Sequence, residues 1–249
     1  GYLIAIFASC VVFFAMFLLW QRESIVLEYG KPDGEAIYSA IYDGRTKVSY
    51  SAYGEERILD ACMYGMTGLI SRASAPEYNA EYAKQCIALA DSVLKQDPTS
   101  SFAFAVRAHA KAVAGDFDGM NQDLVTSWQT GKNEQWIATN RNATAQAFSA
   151  KLNDAATKIN DQDLAILVVS YTGIQSIARQ YRDNPDFRDR IARIVSTLPE
   201  LDQRRFVDHA AAGGVDDIGV LADQLQPARR EQMIGRRRVR TVHRDDVHP

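Results

Sequence analysis

The sequence predicts a mostly α-helical protein: an N-terminal transmembrane helix followed by a stack of α-hairpins, with a small β-hairpin near the membrane as one reading of the connecting segment. Three observations predict it. Residues 2–20 contain no charge, Gly, Pro, Asn or Gln. From Glu55 onward apolar residues recur at three- and four-residue steps, the helical period. Pro, Gly and capping residues then divide this pattern into helices of roughly 12–22 residues joined by short turns.

The first element is Tyr2–Trp20. At about 1.5 Å per residue it extends for about 28 Å, against the ~30 Å hydrocarbon core of a bilayer. It is apolar on every face, unlike a surface helix. Trp20 and the following Gln21-Arg22-Glu23 match an aromatic belt and a polar interface. A cleaved signal peptide has a shorter apolar region and a small-x-small site; this run ends in Leu-Leu-Trp-Gln-Arg. Phe7-Ala8-Ser9-Cys10 faintly resembles a lipoprotein box, but the apolar run continues past Cys10 to Trp20. Ala5, Ala8, Ser9 and Ala15 leave small side chains in the span, a composition that permits close helix packing.

Residues 1–22 are thus read as an anchor and 23–54 as a membrane-proximal neck. Within the neck, Glu35–Tyr42 and Arg45–Ala52 flank Asp43-Gly44, a hairpin signal. A short helix over Glu35–Tyr42 ended by Gly44 fits the same residues.

Residues 55–226 read as one helical domain. Its first helix, Glu55–Arg72, carries Ile58, Leu59, Cys62, Met66, Leu69 and Ile70. Ser74-Ala75-Pro76-Glu77 opens the second, with a cap, a first-turn Pro and an acid behind it, and it runs to Asp97-Pro98. Ser101–Ala114 stops at Gly115, and Asp118–Thr130 stops at Gly131. Asn133–Leu152 is the fifth and Asp161–Arg182 the sixth, with a stripe of Leu164, Leu167, Val168, Tyr171, Ile174, Ala178 and Tyr181. Asn184-Pro185 precedes a helix from Phe187 to Leu198. Glu200–Ala212 follows, and Asp216–Leu225 closes the domain.

The net charge of −3 conceals an asymmetry. Residues 227–249 hold seven Arg against three acids, a balance of +4, which leaves −7 on residues 1–226. The tail therefore reads first as a basic, disordered extension, solvated or ordered on a partner; seven Arg without interleaved aromatics could also bind RNA, DNA or anionic lipid headgroups, with nucleic acid the less expected partner. Eight Lys against twenty Arg, with abundant Ala, is the composition of a GC-rich bacterial genome.

Cys62 and Cys86 lie about equally far from the turn at Ser71–Ala75. An antiparallel helix pair would bring them together, either as a disulfide, which requires an oxidising compartment, or as two small buried side chains. Asn142-Ala143-Thr144 is a glycosylation pattern set inside a helix.

Candidate chemistry is sparse. His109 lies mid-helix among Ala residues, as a packed or groove-lining side chain. His209 is near a helix end, where a cation complements the dipole. His243 and His248 are in the tail, where ordering entropy opposes a metal site. Glu55-Glu56 and Asp216-Asp217 sit at helix starts. No nucleophile elbow, phosphate loop, His-Glu-x-x-His or Cys-x-x-Cys occurs, and no cofactor or metal is expected.

The segment Ala83–Trp128 resembles the tetratricopeptide repeat (TPR). Ala83 to Pro98 is similar to the second helix of one repeat with its terminal Asp-Pro. Phe104 then falls at the family's large aromatic position, Ala108 at its small crossing position, Gly115-Asp116-Phe117-Asp118 at its inter-helix turn and Leu124 at a later core position. Arg107, Lys111 and Met120 depart from the pattern. The resemblance implies a TPR-like solenoid with a concave surface for a protein partner, with Phe104, Arg107, Lys111 and Trp128 as candidate groove residues.

Together these readings predict a non-catalytic scaffold or assembly factor, single-pass in a bacterial inner membrane with its helical body in the periplasm. The alternative is an accessory subunit packed into a larger membrane complex through its span. An envelope hydrolase is a third class, and it requires a cleft with clustered acids or a Ser-His pair.

Overall fold

The computed structural model describes residues 2–29 and 35–212. Asp216–Leu225, the Arg-rich tail, His243 and His248 lie outside the described residues. The chain is mostly helical, and no strand occurs among the described residues. It divides into two compact units, residues 1–159 and 160–249, where the sequence reads as one helical domain.

In the first unit, α1 spans Tyr2–Tyr29, so the helix continues beyond the predicted anchor. Its apolar part, Tyr2–Trp20, is long and apolar enough to cross a membrane, and none of it is buried. The neck resolves as a helix, α2 (Glu35–Tyr42), in place of the β-hairpin. Its last turn is closed by Asp43 N–H to Ser39 and Gly44 N–H to Ile41, and Arg45 folds back onto Asp43. Ile37, Ala40 and Ile41 are buried, and this burial selects the helix. An Asp-Gly turn alone suits either structure.

α3 (Ala52–Thr67) starts at Ser51, whose hydroxyl accepts Gly54 N–H. The helix expected to run to Arg72 breaks at Gly68, and α4 (Leu69–Ala73) follows. α5 (Pro76–Gln96) has Pro76 in its first turn and ends at Asp97. Asp97 accepts both Thr99 N–H and the Thr99 hydroxyl.

Ser100 caps α6 (Ser101–Val113), and Asp116 caps α7 (Phe117–Thr130). Between these two helices Gly115 takes φ 86°, a left-handed conformation that favours glycine. α8 (Gln135–Ala147) gives way to a 3-10 turn at Ser149–Lys151, so the expected Asn133–Leu152 helix is shorter. Asn121 secures that turn: its amide donates to Lys151 C=O and its oxygen accepts Asn153 N–H.

Two apolar clusters hold this unit together. The larger is built by α2, α3, α5 and α6, with Ile137 from α8. Cys62 and Cys86, both fully buried, are joined there as a disulfide with Cα atoms 5.6 Å apart, linking α3 to α5. The Tyr82 hydroxyl donates to Ala61 C=O and lies above Gly65, where a Cβ would stand 2.5 Å from the Tyr82 hydroxyl oxygen. The smaller cluster joins Ala108 and Ala112 of α6 to Met120 and Leu124 of α7 and to Ala156, under Phe117, Phe148 and Leu152.

α9 (Asp154–Leu167) runs across the division between the units, its start capped by Asn153. The expected helix Asp161–Arg182 is two helices. The break falls at Val168–Ser170, where Ser170 caps α10 (Tyr171–Asp183) by accepting Gly173 N–H.

Within the second unit, Asn184 ends α10 and caps α11 (Pro185–Thr197), and α12 spans Glu200–Ala212. Ile174, Ile177, Tyr181, Phe187, Ile191, Val195 and Phe206 are buried, with Tyr181 edge-on to Phe206. Arg190 pairs with Asp161 at 2.7 Å.

Candidate functional site

Two polar places in the first unit bear on function. The first lies where α5, α6 and α7 meet. Asp123, its side chain 3 % exposed, receives Arg107 Nε and Nη2 at 2.8 and 2.7 Å and Lys111 Nζ at 2.9 Å. Arg107 also bonds Asp91 on α5, and its guanidinium lies 5.2 Å from the Phe104 ring centroid. Two cations thus meet two carboxylates, and a forked guanidinium on a carboxylate is a strong, directional pairing. These bonds hold the Arg107 pKa above its usual value.

Arg107 and Lys111, the cationic candidates for a partner groove, are both bonded to carboxylates of their own chain here. Their charges are consumed inside the chain, cross-linking three helices. Phe104 and Trp128 are half-buried; Lys132 Nζ sits 4.8 Å over the Trp128 ring. Asp123 and Asp91 are the residues that sequence reasoning missed. Asp91, Arg107 and Asp123 stand at equal 16-residue steps on successive helices. Alternating charge at that interval is the signal that could have found them.

Around this centre the remaining polar side chains are also engaged. His109 is 3 % exposed, edge-on to Phe148, with Nδ1 at 3.0 Å from the Thr144 hydroxyl. Burial pushes its pKa down to about 4, so the ring is neutral at pH 7. Arg141, 1 % exposed, reaches Ser127 and Gly131 carbonyls and the Ser101 and Ser127 hydroxyls with one nitrogen. Asn142 is buried within α8, a setting that a glycan cannot occupy.

The second place is an open cavity of about 270 Å³. It lies between the N-terminal ends of α3, α6 and α8 and the C-terminal end of α5, rimmed by Glu55, Glu56, Asp97 and Glu134 with Phe102 and Trp136 in its wall. None of these four carboxylates is in an ion pair among the described residues. Burial, then the neighbouring Asp97, raises the Glu55 pKa. Trp136 is 44 % exposed and edge-on to Phe102, centroids 4.7 Å apart. Chemically the cavity disfavours anions.

No grouping of three or more His, Cys, Asp or Glu suited to a metal occurs among the described residues. Comparison with family models, curated proteins and solved structures finds no match for this chain.

Proposed function

We propose that this chain is a membrane-anchored, non-catalytic scaffold or assembly factor whose helical body holds a partner protein. The observation that carries it is the bare apolar span Tyr2–Trp20, continuous with a body whose buried Asp123 and His109 are engaged by its own side chains. Asp123 neutralises two cations of its own chain, and His109 is sealed as a neutral ring. Such groups stabilise a fold; the clustered acids of the open cavity, Glu55 with its raised pKa among them, are the one arrangement among the described residues that the hydrolase reading would use.

The disulfide between Cys62 and Cys86 supports a body in an oxidising compartment, which for a bacterial chain is the periplasm. The tight helical hairpins α5–α6 and α6–α7, with Ala108 at their crossing and Gly115 in the turn, support a TPR-like reading. Tethering raises the local concentration of the partner at the membrane without any new contact.

A second reading, an accessory subunit of a membrane complex, has its own observation. The whole span is unburied within its chain, and Ala5, Ala8, Ser9 and Ala15 leave room for a neighbouring helix. Detergent extraction and co-purification from the native cell separate the two. The scaffold reading expects the stoichiometric partner to be lost on deletion of residues 55–249. Retention of the partner by the span alone overturns it in favour of the subunit reading.

A further inference from the structure

α1 does not stop at the edge of the hydrocarbon. Nine residues follow Trp20 before its end at Tyr29, a stem of about 14 Å at 1.5 Å per residue. The headgroup layer of each leaflet takes up about half of that height. α3 lies alongside α1 in the same unit. The stem is short, so α3 is held close to the bilayer surface.

The outward side of α3 has an unusual composition. Tyr53 and Tyr64 are 67 % and 63 % exposed, and they share one stripe with Arg57, at steps of four and seven residues. Glu56 and Asp60 flank the single cation Arg57, so the face carries one net negative charge. Tyr64 stacks on Tyr38 of α2 with centroids 6.3 Å apart and still stays exposed. An exposed phenol ring with an apolar body and a polar tip suits the layer between hydrocarbon and water.

We propose that the Tyr53–Tyr64 face of α3 lies against the headgroup layer of the bilayer that α1 spans, so that the first unit rests on the membrane. This rests on the reading of Tyr2–Trp20 as a span. The occupant is the bilayer because the span and this face are continuous through the α1–α3 approach. The net negative charge of the face makes the contact one of aromatic rings with zwitterionic headgroups and gives anionic lipid no special part.

The test uses the full chain, purified alone in phosphatidylcholine nanodiscs. A fluorophore is placed at Glu56→Cys on the proposed face, or at Gln129→Cys on α7 as reference, each with Cys10→Ala. Quenching by headgroup-nitroxide lipid is expected to be at least about threefold stronger at position 56, because the quencher layer is only several ångströms deep. Tyr53→Ser with Tyr64→Ser in the same labelled chain is expected to bring position 56 down to the reference level. A separate label on native Cys10, read with acyl-chain quenchers, reports insertion of the span.

Equal quenching at 56 and 129 with Cys10 quenched overturns the proposal and leaves the anchor reading standing, with the face open to a protein partner. Cys10 left unquenched overturns the anchor reading itself. Quenching at 56 that survives loss of both tyrosines, or that needs anionic lipid and disappears in high salt, also overturns it.

Discussion

The helices of the first unit carry carboxylates in two contrasting settings. At the α5–α6–α7 junction, Asp123 is almost fully buried and meets two cations. At the cavity between α3 and α8, Glu55, Glu56, Asp97 and Glu134 face water and meet none. The difference follows from solvation. A buried carboxylate without a cation costs several kcal/mol, whereas water screens a row of exposed acids well enough for like charges to coexist. The same contrast separates a structural site from a surface left free to meet something else.

Removing the buried charge is the strongest way to break this comparison. Asp123→Ala leaves Lys111 without its carboxylate and Arg107 with Asp91 alone, and is expected to cost about 3–5 kcal/mol in urea unfolding. If the cost is below about 1 kcal/mol, the junction is a surface network and the contrast fails.

Next comes the clamp between α3 and α5. Replacing Cys62 and Cys86 together by Ala is expected to lower stability by about 2–4 kcal/mol, and added reductant should lower the parent's melting temperature and leave the variant's unchanged.

Acid sharpens the comparison because the two places respond with opposite sign. The folded pKa of His109, about 4, lies below its unfolded value of 6.5, so the unfolded chain binds the proton more readily. Its contribution is complete above pH 6.5 and is lost as pH falls through 4, by about 3 kcal/mol in total. His109→Gln should flatten that part of the stability–pH curve. A parent curve already flat from pH 6.5 to 4 would remove the sealed-imidazole account.

Glu55 runs the other way. Its folded pKa is raised, so its charge destabilises above that pKa and the penalty is relieved as pH falls. Glu55→Gln should raise stability at pH 7 by about 0.5 kcal/mol, the smallest effect of the four, with no difference left once the parent is protonated. A loss of stability at pH 7 would show that the α3 dipole outweighs the repulsion from Asp97.

Local chemistry wrote much of the fold into the sequence. α5, α6 and α7 begin and end where Pro76, Ser100, Asp116 and Gly131 signal, because a cap acts on backbone groups within its own turn. The break at Ser170 was hidden because α9 and α10 both bury apolar residues at helical steps, so the stripe reads as continuous. Within α10 the buried side chains are Ile174, Ile177 and Tyr181, while Tyr171 is exposed, a register shift that follows from the restart at Ser170. Asp43-Gly44 was ambiguous for a related reason: the turn is the same whether helix or strand precedes it.

The candidate site was the least legible part. Arg107 and Lys111 looked available because their partner, Asp123, is 16 and 12 residues away on another helix. Phe104 and Trp128, the aromatic groove candidates, are half-buried, and it is Trp136 that stands exposed in the wall of the acid-rimmed cavity.

By itself the sequence determined the apolar span, the helical body and most helix ends, since these depend on hydrophobic transfer and on contacts within a turn or two. Only the tertiary structure decided that α2 is a helix, that Cys62 bonds Cys86, that Asp123 takes up Arg107 and Lys111, and which carboxylates stay unpaired. Each of those depends on groups distant in the chain arriving within a few ångströms, and both the Coulomb energy and the covalent bond are settled at that distance.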